Sequence, residues 1–353
     1  MASSGSIGVG LVGYGLAGRF FHAPFIAAVD GLEIRAIATT REDRRADARA
    51  DHPQVAIVES VEALLDRPDV EVVVLASPNK THVPLGIRAL EAGRHVVTDK
   101  PIATDVSSAE SLVDAAERTG RLLTVYHNRR WDGDFLTVRS LVEGGTLGPI
   151  DSLESRFEIR VALAEAWRED AEQAGGPHRD LGAHLVDQAL VLFGAAVRVF
   201  GQLDRRRPET AVDDSAFVAI EHAGGECSRL WTSLISPWGR PRFRVRGLAG
   251  EYVKDERDPQ EARVLAGGRP SDPGFGDDPP DHWGRIHVVD QEPTTVPTQP
   301  GDYRRFYAAL REAIRTAGSP LPVDPLDAIR GLRILEAAEE SARTGTVVRL
   351  KPV

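Results

Sequence analysis

Three polar stretches of this chain hold residue types that can move a proton or cradle a phosphate. The first is Thr98-Asp99-Lys100-Pro101, which follows the apolar run His95-Val96-Val97. A lysine in that place reads as standing at the edge of a buried strand, where open parallel sheets hold their ligands. Its ammonium can hydrogen-bond a substrate hydroxyl and favour loss of the hydroxyl proton. The plain alternative is a surface turn with a solvated lysine. The second stretch runs from Asp180 to Asp187, after the loop Gly175-Gly176-Pro177-His178-Arg179. Asp180 and His184 are four residues apart and share one face of the helix that this run opens, with Asp187 near that face one turn on. An imidazole beside a carboxylate can hold a proton near neutrality and exchange it with a hydroxyl. On the alternative reading Asp180 is a helix cap and His184 a core side chain. The third stretch is Gly13-Tyr14-Gly15-Leu16-Ala17-Gly18, a GxGxxG that straddles a strand-to-helix turn. An overlapping register on Gly8, Gly10 and Gly13 lies inside the strand and is set aside. The first glycine allows a tight turn, the second lets backbone approach a pyrophosphate, and the third permits close helix-strand packing.

The elements that must position these groups alternate through the first third of the chain. Strands are expected at 7–12, 32–38, 70–76, 95–97 and 122–126, with helices at 41–50, 82–92 and 107–119 between them. Pro24 makes the helix after the glycine turn short or kinked. This pattern predicts a doubly wound α/β Rossmann sheet over residues 1–127. Ser77-Pro78-Asn79, with His82 at the start of the next helix, would lie along a bound dinucleotide, although His82 reads equally as a helix-start residue with no chemistry. At the end of the second strand an NAD-selective fold usually places a carboxylate for the ribose hydroxyl. Here the end reads Thr39-Thr40-Arg41. Nothing there repels a 2′-phosphate and Arg41 supplies positive charge, so NADP is favoured over NAD.

From 128 to 353 the alternation breaks. Successive strands at 151–160, 195–203, 215–221, 228–236 and 242–247 predict an α+β domain with an open, mostly antiparallel sheet. Residues 254–283 are rich in Pro, Gly and Asp and read as a long loop whose acidity is solvation. Helices at 302–316, with Tyr303, Phe306, Leu310 and Ile314 on one stripe, and at 325–344 read as structural.

In this order, Gly13-Tyr14-Gly15, Ser77-Pro78-Asn79 with His82, Ala92-Gly93-Arg94-His95-Val96 and Asp99-Lys100-Pro101 resemble the Gfo/Idh/MocA oxidoreductase family over essentially the whole chain. Aspartate stands where that family usually has glutamate before the lysine. Asn128-Arg129-Arg130-Trp131-Asp132-Gly133-Asp134-Phe135 is similar to the branch of NADP-dependent scyllo-inositol dehydrogenases. The resemblance implies Lys100, Asp180 and His184 as catalytic residues, in a DxxxHxxD pattern. It implies a cofactor set of Gly13, Tyr14, Gly15, Leu16, Ala17, Thr39, Thr40, Arg41, Ser77, Pro78, Asn79, His82, Asp99, Lys100, Asn128, Trp167 and Arg168. It implies a substrate set of Lys100, Arg129, Trp167, His178, Asp180 and His184. It also implies that one sheet face makes an oligomer interface, in a homodimer or homotetramer. Two stretches depart from the inositol branch: residues 156–163, and His178-Arg179, which replace small or hydroxylated residues.

The totals bound the remaining classes. At 353 residues the chain fits two domains. A net charge of -10 argues against sequence-independent nucleic-acid binding and against an anionic membrane surface. Mean hydropathy is -0.23, and no run approaches the roughly 18 apolar residues of a membrane span. The N-terminus shows no signal peptide, and the single cysteine, Cys227, fits a reducing compartment, so a cytoplasmic location is expected. No zinc-binding pattern is present, and no metal is expected. The expected activity is hydride transfer on a small polyhydroxylated substrate, an inositol or a sugar. The alternatives are an aldose or keto-sugar reductase of a nucleotide-sugar or natural-product pathway, and a catalytically silent cofactor-sensing protein. The persistence of Lys100, Asp180 and His184 favours an enzyme.

Overall fold

The structure, a computed structural model, describes residues 5–160 and 175–351. Contacts divide the chain into two units: residues 1–128 with 260–275 and 302–329, and residues 129–259 with 276–301 and 330–353. In the first unit, runs too apolar to face water on either side build a parallel sheet. Its strands are β1 (Ile7–Val12), β2 (Leu32–Ala38), β3 (Ala56–Val58), β4 (Val72–Leu75), β5 (His95–Thr98) and β6 (Leu123–Val125). They lie in the order β3-β2-β1-β4-β5-β6, parallel throughout. The direction of winding reverses between β1 and β4, and open α/β sheets bind ligands beyond the carboxyl ends of strands at such a reversal. The strand expected third is the fourth: Ala56–Val58 is only three residues long and leaves no periodic signal. After the glycine turn, Ala17–His22 is wound as a π-helix and passes into the α-helix Ala23–Ala27, with Pro24 at its start.

Two later segments belong to this unit, so it is not continuous in sequence. Aromatic packing explains why. The Phe25 ring lies 6.0 Å from Phe275 and 5.3 Å from Tyr303, and Tyr126 lies 4.8 Å from Phe306. The Thr124 hydroxyl donates to the Val323 carbonyl at 2.7 Å. The helix Arg304–Arg315 buries Phe306 and Leu310, as its stripe predicts, and adds Tyr307, which that stripe omitted.

The second unit holds a nine-stranded sheet. Its strands are β7 (Ile150–Glu158), β8 (Ala196–Asp204), β9 (Ser215–His222), β10 (Cys227–Ser233), β11 (Phe243–Gly247), β12 (Gly250–Lys254), β13 (Gly284–Val288), β14 (Thr294–Val296) and β15 (Val348–Arg349). The order is β14-β13-β12-β11-β7-β10-β9-β8-β15, antiparallel except where β7 meets β10. Burial alternates strictly along β9, the mark of a sheet covered on one face. On the covered side Phe135, Val138, Leu153, Ala189, Phe243, Val245 and Tyr252 form the core. The stretch expected as a continuous loop contains the helix Gln260–Leu265 and a 3-10 turn at Pro280–His282. Its acidity is not all solvation. Asp278 is 1% exposed and pairs at 2.8 Å with Lys254, itself wholly buried. Among the described residues no helix is long and apolar enough to cross a membrane.

Candidate active site

The glycine turn leaves the sheet at the carboxyl end of β1. Gly13 has φ +94°, and a Cβ there would stand 2.4 Å from the Ala76 carbonyl oxygen. A Cβ on Gly18 would stand 2.1 Å from the Gly13 carbonyl oxygen. Both positions therefore need glycine, the first also because its backbone is left-handed. Above Gly15 there is open space within 4 Å, the cradle that a pyrophosphate needs. These residues fit a dinucleotide. Leu16 is 37% exposed at the mouth of the turn, with Ala17 behind it. Tyr14 points away from the turn: its ring is buried and its hydroxyl donates to Asp51 at 3.0 Å. Burial, reinforced by Asp51, pushes its phenol well above the ordinary range. Only its backbone is left to face a ligand.

Strand pairing brings the lysine to the same edge. Val12 pairs with Leu75, and Leu75 with Thr98, so Gly13, Ser77 and Lys100 leave three adjacent strands at one end of the sheet. Lys100 is half-buried, and its peptide bond to Pro101 is cis. Asp99 accepts the Lys100 amide at 2.8 Å. Burial alone would raise the Asp99 carboxyl, but His22, with Lys100 and His82 adding, holds it below the usual range. Ser77 and Thr81 share a hydroxyl hydrogen bond of 2.6 Å, Pro78 accepts from Thr81, and Asn79 is 7% exposed. His82 is wholly buried, and its nitrogens lie 2.8 Å from the Pro101 carbonyl and 2.9 Å from that of Ser77. Burial lowers its pKa, against Asp99 and the two carbonyls. Both ring nitrogens of His82 thus face backbone carbonyls, and the ring braces the Ser77 loop against the lysine turn.

At the end of β2, Thr39 is half-buried and Thr40 exposed. Arg41 is exposed and holds Asp43 through Nε at 3.0 Å and Nη2 at 2.6 Å. Asn128 is buried, 6% exposed. Trp167 and Arg168 lie outside the described residues.

In the second unit the expected helix is two helices, Pro177–Asp180 and Gly182–Phe193. Leu181 between them keeps helical backbone (φ -88°, ψ -36°), so Asp180 and His184 remain about one turn apart. His184 is 5% exposed and Asp180 half-buried. His178 is wholly buried, with Nε2 3.0 Å from the Leu335 carbonyl. Through that contact it braces the short helix against the helix that carries Leu335. Arg129 is 8% exposed, 3.4 Å from Asp132 and stacked at 4.6 Å on Phe157.

Spacing alone placed Asp187 near the His184 face. The structure gives it to Arg130, which grips both its oxygens at 2.9 and 2.7 Å. Beside it Gln188 donates to the Arg129 carbonyl at 2.9 Å and accepts from Arg242 at 2.9 Å. Sequence reasoning missed Gln188 and Arg242, since no local pattern joins residues 54 positions apart. Together they fasten the histidine helix to the Arg129 turn and to β11.

The Gly176 turn that leads into these helices rests on Asp213. Gly176 has φ +88°, a Cβ there would stand 2.2 Å from Asp213 Oδ1, and the His178 amide donates to Oδ2 at 2.9 Å. Burial, with Glu339 and Asp214 adding, pushes the Asp213 carboxyl up to about 7. The folded chain therefore binds more protons here than the unfolded chain, whose aspartates titrate at about 4. Stability falls as pH rises from about 4 to about 7 and is level outside that window. Asp213→Asn should remove this slope: its melting midpoint matches the parent near pH 4 and exceeds it progressively up to pH 7. Parallel midpoint-against-pH curves for the two proteins would refute this.

Two family models match the chain: the NAD-binding Rossmann fold of the oxidoreductase family over residues 7–127, and the C-terminal alpha/beta domain of the same family over residues 139–350. The uncharacterized oxidoreductase YdgJ of Escherichia coli is 38% identical over 342 residues, 96% of this chain and 97% of that one. The scyllo-inositol 2-dehydrogenase (NADP(+)) IolW of Bacillus subtilis is 33% identical over 350 residues, 98% and 96% of the two chains. The solved structure of yvaA from Bacillus subtilis superposes with a TM-score of 0.94 at 32% identity, covering 99% of this chain and all of that one.

Proposed function

The chain belongs to the Gfo/Idh/MocA oxidoreductase family, and from that premise we propose that it transfers a hydride between NADP and a secondary alcohol or ketone of an inositol or a related sugar. The family membership makes it an oxidoreductase with an NAD(P)-binding Rossmann domain. The observation that carries the finer reading is the shared sheet edge, where the glycine turn, Ser77 and Lys100 follow paired ends of β1, β4 and β5. A bound nicotinamide exchanges a hydride with a carbinol carbon. Lys100 hydrogen-bonds the reacting oxygen and steadies its developing charge. His184 takes the hydroxyl proton in oxidation and returns it in reduction, and Asp180 orients the imidazole. Leu16, Ala17 and Asn79 complete the cofactor cradle. Thr39, Thr40 and Arg41 receive the 2′-phosphate, for which Arg41 exchanges its exposed contact with Asp43. NADP and a polyol substrate are also supported by the name of the relative IolW, which spans nearly the whole chain.

On this reading the protein works in the cytoplasm as a homodimer or homotetramer. Support for an assembly comes from the outer face of the nine-stranded sheet, where Phe217 stacks 5.0 Å from Trp231 and Arg156 lies 4.0 Å above that indole. The test is a screen of NADP and NAD against inositol isomers and aldoses, read at the absorbance band of the reduced nicotinamide. Turnover of a cyclic polyol with NADP, with NAD at least tenfold poorer, is expected. Turnover confined to aldoses would move the substrate class, and flat traces with every polyol and sugar would sink the enzymatic reading of the site.

A further inference from the structure

The glycine turn is tied to the end of β2 at the strands themselves, where the Gly13 amide donates to the Ala38 carbonyl at 2.9 Å. A second tie is made by the helix that follows β2, Glu42–Asp51, and it lies at the far end of that helix. Arg19, on the π-helix behind the turn, forks onto Asp51. Its Nε lies 2.8 Å from Oδ2, and its Nη2 donates to Oδ1 at 3.3 Å. Its Nη1 meets Asp47 at 2.8 Å. Tyr14, inside the turn, donates its hydroxyl to the same Asp51 and sets its ring edge-on to His52, 5.8 Å away. Asp47 and Asp51 stand four residues apart and so share the helix face that meets Arg19.

The helix has little apolar packing to fix its tilt. Of its ten residues Ala48 alone is buried, whereas a surface helix normally lays a whole apolar stripe on its core. Arg45 reaches Glu59 at 2.9 Å, but Glu59 is 81% exposed, and such a pair contributes little. The pairs that Arg45 and Arg49 make with Glu42 lie within the helix and do not orient it. Asp51 also stands where local preference opposes it, because the dipole at the last residue of a helix favours a cation. The two-pronged contact from Arg19 offsets that cost and gives the pair a fixed direction. At the opposite end the helix starts from Arg41, the last residue of the corner Thr39-Thr40-Arg41. Ten helical residues span about 15 Å. If the Asp51 end is released, the helix can swing on its short connection to β2, and the corner moves with it.

We propose that Asp51 is a positioning residue for cofactor choice: held by Arg19 and Tyr14, it fixes the helix so that the Thr39-Thr40-Arg41 corner stands at the right separation from the glycine turn to receive a 2′-phosphate. The inference rests on the NADP reading of that corner. It requires a split that a general loss of stability does not produce. NAD has no 2′-phosphate, so loosening the corner weakens NADP and leaves NAD nearly as before.

The test measures the dissociation constants of NADP and NAD by calorimetry in the parent and its variants, with amide hydrogen exchange followed over residues 42–52. In Asp51→Leu the NADP constant should rise by about tenfold or more, while that of NAD stays within about threefold. Asp51→Glu, which keeps the carboxylate, should restore most of the NADP preference. Tyr14→Phe, which removes one of the contacts on Asp51, should move the ratio in the same direction by less. Arg19→Gln decides the matter if Asp51→Leu fails to fold. An unchanged NADP-to-NAD ratio in folded Asp51→Leu, or in Arg19→Gln where that variant alone folds, overturns the proposal. An equal loss of both cofactors overturns it too, since the contact would then serve the glycine turn alone. If the parent binds NADP no more tightly than NAD, the NADP reading of the corner falls and takes the role in cofactor choice with it. Hydrogen exchange then reports by itself whether Asp51 holds the helix: faster over residues 42–52 in Asp51→Leu if it does, unchanged if it does not.

Discussion

Lys100→Met lowers kcat with NADP and the polyol substrate by about two to four orders of magnitude, the range for loss of a group that handles a proton in the transition state. Methionine keeps a straight, flexible chain but carries neither charge nor N–H. The side chain is half-buried at the carboxyl end of β5, and the Asp99–Lys100 amide contact is a backbone bond that the substitution leaves in place. The glycine turn stands on a different strand. NADP affinity, read by titration of intrinsic fluorescence, should therefore stay within a factor of about three. Lys100→Arg keeps the positive charge but cannot give up a proton, and it should recover only part of the loss. Unchanged turnover in Lys100→Met would remove the lysine from the reaction. A matching loss of cofactor affinity would reassign it to binding.

The second large effect is on stability. Arg242 is 1% exposed, and its guanidinium lies 3.4 Å from Asp134, a carboxylate with no solvent exposure. It donates to Ser155 at 2.6 Å and to Gln188 at 2.9 Å, and stacks 3.9 Å over Phe243. Arg242→Met fills much of the space but leaves Asp134 as a buried charge with only the amides of Phe135 and Asp258. Removing one partner of a buried pair costs about 3–5 kcal/mol, a large part of the roughly 5–15 kcal/mol that holds a typical domain. Urea unfolding should show this loss. Arg242→Met combined with Asp134→Asn should regain a good part of it, because the isolated charge is gone. A single variant within about 1 kcal/mol of the parent would mean that Asp134 finds another partner or a proton. Through Gln188 the same variant also loosens the helix that carries His184.

Much of the fold was legible because its signals are local. The strands β1 and β4, the Val96-Val97 centre of β5 and the Ala36–Ala38 end of β2 are apolar runs, the pattern that a parallel sheet buried on both faces must have. The choice between two overlapping glycine registers followed from where the strand had to end, and Gly13 indeed takes a left-handed φ just past β1. What escaped was short or irregular. Three residues made β3, and β12 to β14 are brief strands separated by Pro, Gly and Asp, so composition masked them.

The individual residues divide along the same line. Residue type and spacing made Lys100, Asp180 and His184 candidates for proton chemistry, each beside a plain structural alternative, and the resemblance to the family gave them their catalytic roles. Which neighbour each group answers to was a matter for tertiary contacts. His22 and Tyr307 meet across 285 residues, Arg130 and Asp187 across 57, and His178 and Leu335 across 157. Burial makes these partnerships strong by removing the water that would otherwise satisfy each group. No local pattern encodes which distant residue will stand there when the water has gone.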